Sequence, residues 1–389
     1  MESSTFSLAR LQSIQSHLLS SNPLSKKKAL EPEPEQLLVE EGTHFLKVVL
    51  NRPKQLNSLT IKMMEGLSSI ITKADQLKKP VLLLGNDKAF CAGRDLKEVQ
   101  KEVADTEGYI KYLQQTHSLL YRYAALPSPT IAICDGYAFG RGCGLLTLSK
   151  IRIVTETAVI LMPQAKNGTL SAEGFSYACS KLPKYIGKYL VLTGIGLKGA
   201  EIWEAGLADH FVLRKNLPSL MKALENHLQN GSPIDRLKEV ISKYEEKTRP
   251  KKLKDEEEIK KYFSDKYLKD IIARLDRESH REPKAGYWLA KIKEGCPLML
   301  LHNNFLMENS AGKTLEEAFS LEHHFLERVR VEDVMSGFAR VLSQNIEVPT
   351  SWSMSFQDIR TFNEDDLITG SFPVYDAETL SQQSKCKLK

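Results

Sequence analysis

The chain has 389 residues, of which 42% are hydrophobic and 26% are charged, and its formal net charge is +5. This composition is that of a soluble protein with one large or two ordinary hydrophobic cores, and its mildly basic balance permits an acidic partner such as RNA. No apolar run reaches the roughly 18–20 residues of a membrane helix, which excludes a membrane span. The spacing of the six cysteines argues against a zinc site and a disulfide framework.

Residues 1–36 have the composition of an N-terminal extension. Serines are frequent, Arg10 and Lys26–Lys28 supply positive charge, and Glu2 is the one acid of the first 30 residues. Leucines and isoleucines recur at helical spacing, so the segment is typical of a mitochondrial transit peptide. A disordered or docking extension is the alternative. The stretch EPEPEQ (31–36) interrupts any helix and indicates a linker.

Residues 37–212 alternate between strand-like and helix-like segments. The segment 61–77 has the apolar spacing of a helix, whereas the apolar runs between helices lack period-2 alternation. Such runs indicate strands that are covered on both faces, and their alternation with helices predicts an α/β fold. The predicted strands are FLKVVL (45–50), PVLLLGN (80–86), PTIAICDG (129–136) and IRIVTE (151–156).

From residue 213 to about residue 345 the pattern predicts a helical C-terminal region. Its long stretches are charged and amphipathic, and Thr314 with Glu317 forms the capping-box pattern that opens a helix. The mixed-charge run 249–262 indicates a solvated helix or loop, with an RNA contact as the alternative. Residues 346–389 are interpreted as a polar C-terminal tail.

Three stretches carry the glycines and polar residues of a candidate site. They are LNRPKQLNSLT (50–60), AFCAGRDL (89–96) and DGYAFGRGCGLL (135–146). The second and third follow predicted strands and are interpreted as strand-to-helix turns. Such turns leave free main-chain N–H groups at a helix N-terminus, and two of these groups facing each other make an oxyanion hole.

Together with MPQAKNGTLSAEGFSYACSKLPKYIGKYLVLTG (162–194), GLADHFV (206–212) and TLEEAFSLEHHF (314–325), these stretches resemble the enoyl-CoA hydratase (crotonase) superfamily. Within it, the resemblance is to the 3-hydroxyisobutyryl-CoA hydrolase branch, and it extends over residues 37–345. It implies a crotonase-like spiral of ββα units followed by a helical C-terminal region. It also implies a CoA thioester as substrate or vestigial ligand, with no metal and no other cofactor.

The resemblance implies that the main-chain N–H groups of residues 94 and 141 hold the thioester carbonyl. The implied substrate-binding positions around them are Gly93, Asp95, Gly140 and Gly142. Active hydrolases look like CAGGD and GGG in these turns, where this chain has Arg94 and Arg141. Glycine allows a close approach that a long side chain obstructs. The two arginines therefore either block the acyl pocket or hold an anion, such as an acidic acyl group or a phosphate.

The acid/base positions implied by the resemblance are also changed. The hydrolase branch reads MPE and then PD eight residues later, where this chain has Gln164 and Ala172. Glutamine cannot accept a proton near neutral pH. The adjacent Glu173 would serve as a relocated acid/base group if the turn shifted by one residue, but we expect it to be an ordinary surface acid. Gly144 stands where true hydratases carry a catalytic glutamate, so hydration of a double bond is not expected.

These changes predict a catalytically degenerate protein. The resemblance extends to a relative in the small subunit of the mitochondrial ribosome, which predicts a structural role in the mitochondrial matrix. Ribosomal proteins would be its partners, with rRNA contacted through lysine-rich segments such as 250–254 and 260–261 and through the lysine-rich C-terminal tail. The alternative is an active 3-hydroxyisobutyryl-CoA hydrolase of valine catabolism that uses Glu173. A third reading is an inert CoA binder or a dimerisation partner of an active relative. No membrane partner is expected, and a homo-oligomer remains open.

Overall fold

A computed structural model describes residues 35–102, 106–247, 253–342 and 352–369 of the chain. Its strands form a six-stranded sheet, in the order β1-β2-β3-β5-β7-β10, and a four-stranded sheet, in the order β4-β6-β8-β9. The larger sheet contains β1 (Leu37–Glu41), β2 (Leu46–Leu50), β3 (Val81–Gly85), β5 (Thr130–Cys134), β7 (Ile151–Val154) and β10 (His210–Phe211). The smaller sheet contains β4 (Ala89–Cys91), β6 (Tyr137–Phe139), β8 (Val159–Leu161) and β9 (Leu197–Lys198).

The two sheets are built from consecutive strand pairs. The first strand of each pair, β3, β5 or β7, lies in the larger sheet, and the second, β4, β6 or β8, lies in the smaller one. These strands pair in parallel with their neighbours, whereas β1 with β2 and β8 with β9 are antiparallel. A helix follows each strand pair. This arrangement confirms the α/β class and the expected spiral of ββα units.

Residues 61–77 form the predicted helix, which begins after Thr60. The Thr60 hydroxyl accepts a hydrogen bond from the main-chain N–H of Met63 and so caps the first turn. The helices up to residue 204 are α1 (Ile61–Leu77), α2 (Leu96–Glu102), α3 (Thr106–Ala125), α4 (Arg141–Thr147), α5 (Phe175–Cys179), α6 (Lys184–Thr193) and α7 (Ala200–Glu204). A short 3₁₀ helix (Gln164–Asn167) lies between β8 and α5.

The region after residue 213 is helical, as predicted, and Thr314 and Glu317 form the expected capping box. Its helices are α8 (Leu217–Gln229), α9 (Leu237–Ser242), α10 (Glu256–Phe263), α11 (Leu268–Glu278), α12 (Pro283–Lys293), α13 (Pro297–Asn309), α14 (Leu315–Leu326), α15 (Val331–Leu342), α16 (Phe356–Thr361) and α17 (Asp366–Thr369). No helix in the described ranges is both long and apolar enough to cross a membrane.

The C-terminal helices cover the part of the core that carries the glycine-rich turns. Helix α13 packs on α6, α14 packs on α3, and α15 packs on the 3₁₀ helix. One hydrophobic cluster includes buried residues from Leu46 to Leu367, so it draws on both halves of the chain. The proposed boundaries at residues 36, 212 and 345 stay predictions, and most of the predicted N-terminal extension and C-terminal tail lies outside the described residues.

Candidate active site

The two glycine-rich turns pack directly against each other. The first joins β4 to α2, and the second joins β6 to α4. A β-carbon on Gly93, where φ is +88°, would lie 2.8 Å from the carbonyl oxygen of Phe139 and 3.6 Å from the main-chain nitrogen of Arg141. A β-carbon on Gly142 would lie 2.1 Å from the carbonyl oxygen of Cys91. Glycine at these two positions therefore permits the close approach of the turns.

The main-chain N–H groups of Arg94 and Arg141 donate no hydrogen bond to any of the described residues. The peptide around Arg94 is fixed by Leu59, whose N–H donates to the Gly93 carbonyl (2.7 Å) and whose carbonyl accepts from the Asp95 N–H (3.0 Å). Arg141 is the first residue of α4, so its N–H has no acceptor within the helix. Both donors are thus available to a carbonyl oxygen, as an oxyanion hole requires.

A cleft of about 410 Å³ opens beside the two turns. Its lining includes Gly93, Arg94, Asp95, Gly140, Arg141 and Gln164. The structure therefore brings these predicted site residues together around one cavity. Gly142 does not line the cleft, because it is packed against Cys91.

Asp95 lies at the start of α2, where its carboxylate stabilises the turn. One of its carboxylate oxygens accepts from Nη2 of Arg52 (2.9 Å), and the other accepts from the main-chain N–H groups of Lys97 (3.1 Å) and Glu98 (3.2 Å). These are the contacts of a helix N-cap and an ion pair. Asp95 therefore fixes the turn that carries Arg94, and its carboxylate is engaged in doing so.

Both arginine side chains turn into the protein and meet at Glu173. Nη2 of Arg94 lies 3.0 Å from Oε1 of Glu173, and Nε of Arg141 lies 3.1 Å from Oε2. Three further guanidinium nitrogens donate to hydroxyl groups of α3: Arg94 donates to Tyr109 (2.8 Å), and Arg141 donates to Tyr112 (2.9 Å) and Thr116 (3.0 Å). Arg141 is only 1% exposed. The arginines thus hold an anion, and that anion belongs to the protein.

This ion network occupies the space on the inner side of the two turns. The cavity that remains there, which we call the inner chamber, measures about 10 Å³. It is lined by Arg94, Leu113, Thr116, His117, Arg141, Thr169, Leu170, Ala172, Glu173 and Leu326. A volume of this size holds about one water molecule. No acyl group of ordinary size fits into the inner chamber while the arginines keep this conformation.

Glu173 is not the surface acid that we expected. Its side chain is buried, with 6% of the residue exposed, and both carboxylate oxygens face the arginines. Burial alone would raise the pKa of this carboxyl, but the charges of Arg141 and Arg94 outweigh burial and lower the pKa below its ordinary value. Glu173 is therefore ionised at neutral pH and is a poor proton acceptor.

Gly144 explains why Glu173 can enter the site. A β-carbon on Gly144 would lie 2.4 Å from the carbonyl oxygen of Glu173 and 3.1 Å from its β-carbon. Any side chain at position 144 would push the loop that carries Glu173 away from α4. The glycine at the position where hydratases are expected to carry a glutamate thus leaves room for a different carboxylate.

Gln164 and Ala172 lie at the two cavities without supplying an acid or a base. Gln164 begins the 3₁₀ helix, lines the cleft and is buried, and its Oε1 has no hydrogen-bond partner among the described residues. Ala172 is buried against the inner chamber. In the described parts of the chain, no three His, Cys, Asp or Glu side chains come close enough together to hold a metal ion.

A second layer of polar residues, which the sequence did not reveal, holds the loop that carries Glu173. Glu322 of α14 is fully buried and accepts hydrogen bonds from the main-chain N–H groups of Gly174 (2.9 Å) and Ser176 (3.0 Å). Its Oε2 also lies 3.0 Å from Nε2 of His117. Nothing in the helical pattern of SLEHHF distinguishes Glu322. Tyr109, by contrast, shares one face of α3 with Tyr112 and Thr116, a spacing that the sequence does display.

Comparison with known proteins shows the family to which the chain belongs. Residues 45–365 match the profile of the enoyl-CoA hydratase/isomerase family. A mitochondrial 3-hydroxyisobutyryl-CoA hydrolase of Dictyostelium discoideum is 30% identical over 315 residues, which cover 76% of this chain and 82% of the relative. The small ribosomal subunit protein mS47 of Arabidopsis thaliana is 28% identical over 314 residues, which cover 78% of this chain and 76% of that protein.

Solved structures show the same fold. An enoyl-CoA hydratase from Rhodobacter sphaeroides superimposes with a TM-score of 0.72 at 24% sequence identity, over 87% of this chain and 98% of that protein. At this level of identity the likeness concerns the fold alone.

Proposed function

Because the chain belongs to the enoyl-CoA hydratase/isomerase family, we propose that it is a catalytically degenerate 3-hydroxyisobutyryl-CoA hydrolase-like protein that serves as a structural component of the small subunit of the mitochondrial ribosome. The observation that carries the proposed loss of catalysis is the buried network of Arg94, Glu173 and Arg141. This network fills the space behind the two main-chain donors, where the acyl group of a thioester would lie.

The proposed loss of catalysis also follows from the chemistry of hydrolysis. Attack of water on a thioester carbonyl requires a group that accepts a proton near neutral pH. Gln164 has no basic atom, and Ala172 has no polar side chain. Glu173 is a carboxylate, but the two arginines stabilise its charged form and occupy both of its oxygens. The main-chain donors alone can polarise a carbonyl but cannot activate water.

The proposed ribosomal role is supported by the similarity to mS47 and by the basic composition of the chain. The match to this chain covers 76% of mS47, which is named a small ribosomal subunit protein. The proposed partners are ribosomal proteins and rRNA, whose phosphates would be contacted by exposed lysines. Of the lysine-rich segments, residues 250–252 lie outside the described residues, and Lys261 already binds Glu278. A mitochondrial location is supported by the name of the Dictyostelium relative and the transit-like composition of the N-terminus. Within the organelle, we place the protein in the matrix. No cofactor is proposed.

The second candidate function is an active 3-hydroxyisobutyryl-CoA hydrolase. One observation favours it: Glu173 points into the site and lies beside the turns that carry both main-chain donors. A carboxylate there could orient a water molecule if the arginines moved away. This candidate predicts that substitution of Glu173 by alanine abolishes the activity.

The test is hydrolysis of 3-hydroxyisobutyryl-CoA by the purified full-length protein, followed by the release of free thiol. We expect a rate equal to that of a control without protein. A rate of the order of one turnover per second would overturn the proposal in favour of the active hydrolase.

The ribosomal part is tested separately, by fractionating mitochondrial lysate on a sucrose gradient. We expect the protein to migrate with the small ribosomal subunit and to shift with it when the subunits are dissociated. Migration only with free soluble proteins would contradict the structural role.

A further inference from the structure

The residues Arg94 and Arg141 line both the outer cleft of about 410 Å³ and the inner chamber of about 10 Å³. These two residues therefore lie between the two cavities. We propose that Arg94, Arg141 and Glu173 act as a fixed plug that makes the cleft size-selective. The cleft would admit a CoA-type pantetheine arm that ends at its sulfur and would exclude the branched acyl thioester. This inference rests on the proposed function for the identity of CoA as the ancestral ligand.

The plug is held in place by hydrogen bonds from both of its guanidinium groups. Nη1 and Nη2 of Arg94 bind Tyr109 and Glu173, and Nε, Nη1 and Nη2 of Arg141 bind Glu173, Tyr112 and Thr116. Rotation of either guanidinium out of the inner chamber would break these bonds and leave buried groups unpaired. A ligand must therefore fit around the plug, because displacing the plug would cost the free energy of these hydrogen bonds.

The free space decides which ligands fit. The inner chamber holds about one water molecule, which is too little for a branched four-carbon group. The outer cleft is large enough for an extended chain, and the main-chain N–H groups of Arg94 and Arg141 lack acceptors among the described residues. A ligand that stops at these donors meets open space and hydrogen-bond donors, whereas a longer one meets the arginines. The cleft therefore favours unacylated CoA over the acyl-CoA.

The experiment is isothermal titration calorimetry of the full-length protein with three ligands that cannot be hydrolysed. These are CoA, its S-methyl thioether and its S-isobutyl thioether. We expect CoA and S-methyl-CoA to bind with similar affinity and S-isobutyl-CoA to bind at least about tenfold more weakly, the order of a steric penalty in a closed pocket. Equal binding of S-isobutyl-CoA and CoA would overturn the plug, and so would the failure of all three ligands to bind.

The matched variant removes the plug by the substitutions Arg94→Gly, Arg141→Gly and Glu173→Val. We expect this variant to bind S-isobutyl-CoA and CoA about equally. The control is Lys188→Met, which removes a different buried ion pair, to Glu308 on α13, that lines neither cavity. The control should keep the discrimination. If the triple variant does not fold, the three ligands tested on the unaltered protein still decide the question.

The outcomes separate this inference from the proposed function. Hydrolysis of 3-hydroxyisobutyryl-CoA together with tight binding of S-isobutyl-CoA would contradict both the plug and the proposed loss of catalysis. Tight binding of S-isobutyl-CoA without hydrolysis would contradict the plug but agree with the proposed loss of catalysis. If the protein discriminates between the ligands but does not migrate with the small ribosomal subunit, the result supports the plug and contradicts the ribosomal role.

Discussion

The carboxylate of Glu173 lies between two guanidinium groups in a part of the protein that water hardly reaches. Transfer of charges into such a site is costly, and mutual attraction repays the cost only when hydrogen bonds satisfy the remaining donors. Here the hydroxyl groups of Tyr109, Tyr112 and Thr116 accept hydrogen bonds from three further guanidinium nitrogens. Removal of Glu173 would leave both arginines without a counter-charge.

Glu173→Ala should therefore destabilise the protein strongly. The substitution leaves two buried arginines without a counter-charge, and we expect the free energy of unfolding to fall by about 3–5 kcal/mol in urea denaturation. Asp75→Ala is the control, because it removes an exposed ion pair with Lys78 and should cost only about 0–1 kcal/mol. A loss of stability for Glu173→Ala no greater than that of the control would show that the buried network contributes nothing.

The stability that Glu173 contributes should depend on pH. Because its pKa is lowered in the folded protein from an ordinary value of 4.5, its contribution is complete above that pH and is lost as the pH falls through the folded-state pKa. We expect the difference in stability between the unaltered protein and Glu173→Gln to be constant from about pH 7 to pH 6 and to shrink below about pH 4.5. Urea denaturation at a series of pH values measures it. A difference that widens on acidification would contradict the lowered pKa.

The sequence located the site residues better than it described their contacts. The family resemblance placed Arg94, Arg141 and Gln164 at positions that the structure brings to one cleft. It left open whether the arginines would block a pocket or bind an anion, because both depend on the direction of the side chains. The prediction that Glu173 is an ordinary surface acid was wrong, because Glu173 is buried in the site. A one-residue offset in an irregular loop has no periodicity from which a sequence could predict it.

At the scale of elements, helix α14 anchors α5 through Glu322. This carboxylate is fully buried and accepts from the N–H groups of Gly174 and Ser176 at the start of α5, directly after Glu173. Burial raises the pKa of Glu322, although hydrogen bonds from His117 and Ser176 oppose the increase. The position of the Glu173 loop thus depends on a helix almost 150 residues later in the chain.

Glu322→Gln, which keeps the size of the side chain, should weaken the hydrogen bonds that hold the start of α5. Glutamine replaces one acceptor oxygen with a donor, so one main-chain N–H at Gly174 or Ser176 loses its partner at a cost of about 1–3 kcal/mol. We expect hydrogen–deuterium exchange at that amide to accelerate at least about tenfold, which corresponds to about 1.4 kcal/mol. The control is Glu317→Gln in the exposed capping box of α14, which should leave both amides unchanged. Unchanged exchange in Glu322→Gln would show that Glu322 does not anchor the loop.

Long elements could be predicted from the sequence, and short ones could not. Helix α1 and the central strands β3 and β5 carry enough apolar residues to show a period or a buried run. Strands β4 and β6 have three residues each, which is too short for either signal. In the folded protein they pair with each other in parallel. Their ends nevertheless carry the site, and only the glycines that follow them marked its place.

At the scale of the whole molecule, the C-terminal helices form part of the site's support. Glu322 holds the start of α5, and Oδ1 of Asn303 on α13 accepts from the N–H of Ser171 (2.9 Å). Both contacts join the loop between the 3₁₀ helix and α5 to residues far along the chain. Such pairings cannot be read from one sequence, because they depend on how the helical region folds back onto the core.

On the proposed function, the scaffold should hydrolyse the thioester once its site is rebuilt, since the main-chain donors and the cleft are present. The variant carries Arg94→Gly, Arg141→Gly and Glu173→Val to open the inner chamber, with Gln164→Glu and Ala172→Asp to supply the acid/base groups. We expect hydrolysis of 3-hydroxyisobutyryl-CoA at least about 10²-fold faster than by the unaltered protein, the contribution of positioned proton transfer.

The three chamber-opening substitutions without the two carboxylates provide the matched control for that measurement. This control should bind the branched ligand but should not hydrolyse the thioester, because space and main-chain donors without a proton acceptor stabilise a carbonyl and leave water unactivated. If the five-substitution variant folds and is no faster than the control, the carboxylate positions taken from the family resemblance are wrong for this chain. Faster hydrolysis by the five-substitution variant alone would instead support the proposed loss of catalysis through changes in a few side chains, with the fold unchanged around them.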